Sequence, residues 1–116
     1  MYVIPMHRSS PNFIGAGKIE GVPVILDSQT SAAIDLRGQI VCIENADPGF
    51  DWIFTKKVGG LITKFGGANS HMAIRCAEFG LPAAIGCGEQ MFRKMSSGDV
   101  ALLDCDNNQL RVLKYD

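Results

Sequence analysis

The 116-residue sequence lacks a long apolar run, a marked excess of charge of either sign, and any closely spaced pair of cysteines. Without a long apolar run, no segment is predicted to cross a membrane. Eleven basic and twelve acidic residues give a net charge of -1, which argues against nucleic acid or an anionic membrane as a partner. Partner choice must therefore depend on a local site.

The four cysteines, Cys42, Cys76, Cys87 and Cys105, are far apart, and each lies inside an apolar run. No CxxC pair or nearby histidine has the spacing of a zinc site, so no metal site is predicted. A buried free thiol behaves as a small hydrophobic side chain. Because disulfides are rare in the cytosol, the pattern favours a reduced, cytoplasmic setting.

Length and a hydrophobic content of 47% predict one domain with a modest core. Residues 1–12 contain two prolines and adjacent serines and are predicted to form a tail or linker, with the folded domain at residues 13–116. The apolar start is interrupted by Pro5, His7 and Arg8, which argues against a signal peptide or a membrane anchor.

Short β-rich runs alternate with helical patterns along the chain. Strands are predicted at residues 22–26, 39–44, 60–63 and 81–86, helices between Asp47 and Gly59 and at residues 71–79 and 89–95, and a hairpin at residues 99–104 and 110–114. This alternation predicts a mixed α/β domain rather than a helical bundle or a β-sandwich.

One of only two histidines, His71, follows KFGGANS at the start of a helical pattern. Gly66 and Gly67 supply backbone freedom for a tight strand-to-helix turn, and Asn69 or Ser70 is placed to cap the helix. The free N–H groups of the first turn form a ready anion site. An imidazole is substantially unprotonated near pH 7 and can attack a phosphoryl group. The residues therefore predict a phosphohistidine site, with a surface or capping histidine as the alternative.

Two other chemistries fit the sequence poorly. In GAGKIEG, Asn12 and Ile19 stand where a nucleotide-binding P-loop needs Gly and Ser or Thr, so its glycines are interpreted as a bend into the first strand. Ser70 and His71 are neighbours at a helix start, where adjacent side chains diverge by about 100°. They are therefore not expected to face each other as a hydrolytic nucleophile and base.

The run GLITKFGGANSHMAIRCAEFGLPAAIG resembles the phosphohistidine signature of the mobile, or swivelling, domain of phosphoenolpyruvate-utilising enzymes. That family includes phosphoenolpyruvate synthase, pyruvate phosphate dikinase, enzyme I of the sugar phosphotransferase system and rifampicin phosphotransferase. Weaker similarity extends over nearly the whole chain. The matching positions are Thr63, Gly66, Gly67, Asn69, Ser70, His71, Ala73, Ile74, Glu78, Phe79, Gly80, Leu81, Pro82, Ala83 and Gly86.

The resemblance implies a three-layer β/β/α swivelling domain in which His71 carries the phosphoryl group. It also implies ATP-binding and acceptor-substrate domains of the same enzyme as partners, in cis or in trans. ATP and Mg²⁺ would be bound there, and no cofactor would be bound by this domain. PNFI, DPGFDWIF and the end of LPAAIGCGE look most like kinases related to phosphoenolpyruvate synthase that act in surface-polysaccharide biosynthesis, including glutamine kinase. The phosphate would be held by Gly66, Gly67, Asn69, Ser70 and Arg75.

The chain departs from the family at three positions. Lys64 replaces an acidic residue that is common after the family's threonine, and Met72 replaces a small residue. The family arginine usually stands six residues after the histidine, where this chain has Ala77. Arg75, one helical turn from His71, is predicted to reach the phosphate instead. The alternatives are a degenerate swivelling domain with a structural or regulatory role, and a small-molecule binding module that uses the helix-start anion site.

Overall fold

The computed structural model describes residues 11–31, 33–46 and 48–114. The predicted tail, residues 1–12, lies largely outside these residues, so the predicted domain limits stay a prediction. Asp47, where a helix was predicted to begin, also lies outside them. The described strands are β1 (Asn12–Ile14), β2 (Lys18–Gly21), β3 (Pro23–Ile25), β4 (Ile40–Asn45), β5 (Gly60–Phe65), β6 (Ala83–Ile85), β7 (Val100–Asp104) and β8 (Gln109–Lys114). The described helices are a 3₁₀ helix (Pro48–Thr55), α1 (His71–Phe79) and α2 (Glu89–Ser96).

The larger of the two described sheets has the strand order β1-β6-β5-β4-β3. Strands β3 to β6 pair in parallel, and β1 is antiparallel to β6. Asn45 of β4 lies opposite Phe65 of β5, so these two strands end side by side. The segments that follow them therefore emerge at the same edge of the sheet, where open parallel sheets usually bind ligands.

Successive residues of a strand point to opposite faces of the sheet. Both faces of the larger sheet are covered, and each strand contributes side chains to both. On one face, Val41 and Ile43 of β4 belong to a buried cluster with Met72 and Cys76 of α1. The opposite face packs against α2 and the smaller sheet, which has the strand order β2-β7-β8. The second cluster consists of Ile40, Cys42, Ile62, Ala84, Cys87, Phe92, Met95, Ala101, Leu103 and Cys105. The predicted three-layer β/β/α fold is therefore confirmed.

No strand was predicted where β1 lies, and two local predictions differ from the structure. The glycine-containing segment predicted as a bend contains β2, whose Ile19 lies opposite Leu103 of β7. Closely spaced glycines weaken a strand pattern, and this strand becomes evident only from its partner. The short helix predicted after Asp47 is a 3₁₀ helix, and Phe50 within it has non-helical dihedral angles, φ -105° and ψ 17°.

Candidate functional site

Helix α1 begins at His71, immediately after the turn that follows β5. Ser70 is the N-cap, and its Oγ accepts a hydrogen bond of 3.4 Å from the backbone N–H of Ala73. The N–H of Ile74 donates to the Ser70 carbonyl at 3.1 Å. The helix ends at Gly80, which adopts a left-handed conformation with φ 67°. Both helix ends thus use the residue types that the sequence pattern indicates.

The turn before His71 is built from residues with little or no side chain. Gly66 has φ +124°, and a Cβ on it would lie 2.7 Å from the Cβ of Ala46. A Cβ on Gly67, by contrast, would meet no described atom within 4 Å. Asn69 is exposed, and no described residue forms a hydrogen bond with its side chain. The backbone of the turn is therefore open to a ligand in front of the helix.

The ring of His71 is 39% exposed, and its Nε2 lies 2.8 Å from Oδ1 of Asp51. Since a carboxylate can only accept a hydrogen bond, this contact assigns the proton to Nε2. Asp51 belongs to the 3₁₀ helix that follows β4. The parallel pairing of β4 with β5 thus brings together two side chains twenty positions apart. The sequence patterns did not single out Asp51, and its one signal is its place after the neighbouring strand.

Arg75 lies on the same face of α1 as His71, one turn further along. Its guanidinium carbon is 5.5 Å from the ring centre of Phe54 and 4.9 Å from that of Phe79. Nη1 lies 3.3 Å from Oε1 of Glu78, and Nε lies 3.7 Å from Oδ1 of Asp51. Nε is buried and has no hydrogen-bond partner within the part of the chain that the structure describes.

Hydrogen bonds of Thr63 fix the position of the turn before His71. Its hydroxyl, on a fully buried residue, donates to the carbonyl of Phe65 at 2.9 Å and accepts from the N–H of Gly86 at 2.8 Å. The Thr63 carbonyl also accepts from the N–H groups of Gly86 and Cys87. The segment after β6 is therefore tied to the end of β5, which holds the turn before His71 in place.

The five predicted phosphate-binding residues thus fall into two groups around His71. Gly66, Gly67, Asn69 and Ser70 form the turn before it, and Arg75 lies beside it on the helix face. None of the described His, Cys, Asp and Glu side chains come together in a group of three that could hold a metal ion.

Residues 34–108 match the family model described as PEP-utilising enzyme, mobile domain. The chain belongs to this family. The resemblance inferred from the residues around His71 is therefore confirmed. The mobile domain is 32% identical to phosphoenolpyruvate synthase of Escherichia coli over 103 residues, which are 89% of this chain and 12% of that enzyme. It is 38% identical to rifampicin phosphotransferase of Streptomyces sviceus over 87 residues, which are 73% of this chain and 9% of that enzyme.

The mobile domain therefore spans about a tenth of the length of these curated relatives. A solved structure, the solution NMR structure of a UPF0107 protein, matches it with a TM-score of 0.64 at 12% identity and covers 91% of this chain and 98% of that one. At this identity the likeness supports the fold alone. None of the described helices has an apolar stretch that could reach across a bilayer.

Proposed function

We propose that this mobile domain is the phosphoryl carrier of a phosphotransferase resembling phosphoenolpyruvate synthase and pyruvate phosphate dikinase. A ring nitrogen of His71 attacks the phosphorus of the donor, and an N–P bond forms. The P–O bond to the leaving group breaks, and the leaving oxygen keeps the electron pair. One observation carries the proposal, namely an accessible imidazole at the start of α1 with a guanidinium on the same helix face.

The surroundings of His71 support the stabilisation of a phosphoryl group. The first turn of α1 presents the positive end of the helix dipole to an anion, together with the N–H groups that Ser70 does not cap. The open backbone at Gly67 and the exposed side chain of Asn69 face no competing described side chain. Arg75 adds a permanent positive charge, and its Nε–H has no hydrogen-bond partner among the described residues.

The carrier works with an ATP-binding domain and an acceptor-substrate domain of the same enzyme, in cis or in trans. ATP and Mg²⁺ bind to the first of these, and the carrier itself binds no cofactor. The much greater length of the curated relatives supports the presence of such partner domains. The runs PNFI and DPGFDWIF support a narrower proposal, that the parent enzyme is a kinase of surface-polysaccharide biosynthesis.

Phosphorylation of the chain tests the proposal directly. Incubation with the nucleotide-binding domain of its parent enzyme, ATP and Mg²⁺ should produce an acid-labile, base-stable phosphate. His71→Ala should abolish this label. His7→Ala is the matched control, since His7 is the only other histidine, and it should retain the full label. Label that survives in His71→Ala would contradict the assignment.

A degenerate domain with a structural or regulatory role is the second candidate. It is favoured by Ala77 at the usual position of the family arginine, and by the Asp51 carboxylate that already occupies Nε2 of His71. For this candidate, His71→Gln should leave the activity of the full-length enzyme unchanged. A large loss of activity on that substitution would rule it out.

A further inference from the structure

A single carboxylate oxygen, Oδ1 of Asp51, contacts both groups that would hold a phosphate. It lies 2.8 Å from Nε2 of His71 and 3.7 Å from Nε of Arg75. An oxygen of a phosphoryl group bound to Nε2 would also lie beside that nitrogen and face the guanidinium. The carboxylate thus has the charge and the neighbours that such a phosphate oxygen would have.

We propose that Asp51 is an internal substitute for the phosphoryl group. In the unphosphorylated domain it occupies the phosphoryl position on Nε2 of His71. When Nε2 is phosphorylated, Asp51 is displaced and Arg75 pairs with the phosphate. The inference rests on the proposed function, because it assigns a resting state to the same histidine.

The chemical step requires the ring to change tautomer before it reacts. The proton on Nε2 moves through water to Nδ1, which leaves a lone pair on Nε2. That lone pair attacks the donor phosphorus, the N–P bond forms, and the leaving oxygen keeps the electron pair of the broken P–O bond. In the resting structure the Asp51 carboxylate stabilises the opposite tautomer, because it can only accept a proton from Nε2.

The position of Arg75 indicates which ring nitrogen carries the phosphate. Its Nε lies 3.7 Å from the Asp51 oxygen that contacts Nε2 of His71. Its buried Nε, without a hydrogen-bond partner among the described residues, would be satisfied by an anion attached to Nε2. A buried donor without a partner is unfavourable, so phosphorylation at Nε2 removes an existing cost and phosphorylation at Nδ1 does not.

Of the two charged neighbours, Asp51 is the one free to move. The guanidinium of Arg75 is held against the rings of Phe54 and Phe79, which stack on each other with their centres 5.1 Å apart. The side chain of Asp51 is 43% exposed, so it can rotate into water without exposing core residues. A carboxylate and a phosphate dianion repel each other strongly at this distance. The Arg75 side chain therefore keeps its position beside the phosphate, and the Asp51 side chain moves away from His71.

The isolated chain can test this exchange without a partner domain. Phosphoramidate transfers a phosphoryl group to histidine nitrogens without an enzyme, and ¹⁵N and ³¹P NMR identify the modified nitrogen. We expect the product at Nε2 of His71. Asp51→Asn should be phosphorylated about tenfold faster and hydrolysed about tenfold more slowly, because a neutral amide stabilises the proton on Nε2 less than a carboxylate does and does not repel the phosphate.

Two further variants separate the charge of Asp51 from its place in the fold. Asp51→Glu retains the carboxylate and should stay as slow as the parent chain. Glu78→Gln is the matched control, since it removes the second described carboxylate that contacts Arg75, at 3.3 Å, and no contact between Glu78 and the His71 ring is found within the described part of the chain. Its rates should stay within about twofold of the parent chain.

The possible outcomes distinguish this inference from the proposed function. Phosphorylation at Nδ1, or equal rates for Asp51→Asn and the parent chain, would overturn the role of Asp51. If the phosphoramidate results agree with expectation but ATP and the nucleotide-binding domain never label His71, the proposed function fails and the Asp51 exchange stands.

Discussion

Gly86 and Gly66 lie so close together that a Cβ on Gly86 would overlap the carbonyl oxygen of Gly66. Their φ angles are +77° and +124°, values that residues with side chains rarely adopt. Gly86 follows β6, and Gly66 follows β5. Their contact therefore fixes the turn before His71 against the segment that follows the neighbouring strand.

Gly86→Ala should lower the free energy of unfolding by about 3 kcal/mol, because it combines an unfavourable backbone angle with a backbone clash. Gly67→Ala is the matched control in the same region. Its new methyl would meet no described atom within 4 Å, so its effect should stay below about 1 kcal/mol. Urea denaturation of both variants measures the difference. Equal destabilisation by the two substitutions would contradict the proposed contact.

Thr63→Val should lower the free energy of unfolding by about 2 kcal/mol, because it removes both hydrogen bonds of a fully buried hydroxyl. Thr63→Ser retains the hydroxyl and loses only a methyl group, at a cost of about 1 kcal/mol. Chemical denaturation should therefore rank serine above valine in stability. The reverse order would show that packing of the methyl group, rather than the hydrogen bonds, matters at this position.

The segment around His71 was predictable from sequence because its structure depends on near neighbours. A cap at Ser70, a helix from His71 and an end at Gly80 each follow from residues within a few positions. The layered fold was predictable for a different reason. The resemblance covers the matched run as a whole, and it does not depend on pairing short strands correctly.

Asp51 could not be found in this way. It meets His71 only because β4 and β5 are parallel neighbours in a register that places Asn45 opposite Phe65. Short apolar strands do not reveal their partners or register, since the same residues suit many pairings. The failure to predict β2 has the same cause, because that strand is defined by its pairing with β7.

Arg75→Ala should shorten the lifetime of phosphohistidine at His71 about tenfold, because it removes a charge-assisted hydrogen bond to the phosphate. Arg93→Ala is the matched control. Arg93 also pairs with a glutamate on a helix, Glu89 at 2.7 Å, but it lies on α2, and its removal should leave the lifetime unchanged. Release of ³²P from the labelled chains measures both. Equal lifetimes in the two variants would remove Arg75 from the site.

Asp104 makes the stability of the domain depend on pH in the acidic range. Hydrogen bonds from the Asn107 side chain and from the backbone N–H groups of Asn107 and Asp106 lower the pKa of this carboxyl below its ordinary value of 3.8. A lowered folded pKa stabilises the folded chain above the ordinary value. That contribution should be lost as the pH falls from 3.8 through the lower folded value.

Asn107→Ala tests this linkage, because it removes the largest cause of the shift. In that variant the pKa of Asp104, followed by NMR titration of its carboxyl, should rise toward 3.8. The variant should be less stable than the parent chain at neutral pH, and the difference should narrow below pH 3.8. A constant difference across the acidic range would show that Asn107 acts through the turn and not through the carboxylate.

The buried cysteines predict a loss of stability at alkaline pH. Burial raises the pKa of Cys42 and Cys76 to about 12, and that of Cys87 to about 11, from an ordinary value of 9.0. The unfolded chain therefore releases these protons at lower pH than the folded chain does. Stability should be fully present below pH 9.0 and should decrease as the pH rises from 9.0 through the folded values.

Alkylation with iodoacetamide, analysed by mass spectrometry of each cysteine, measures how strongly burial protects each thiol in the folded chain. The thiolate is the reactive form, so all three thiols should react far more slowly in the folded chain than in urea. Cys87 should react first among them, because it is 6% exposed whereas Cys42 and Cys76 are fully buried. Rapid labelling of Cys42 or Cys76 in the folded chain would mean that the packing between the larger sheet and its covering layers opens around that thiol.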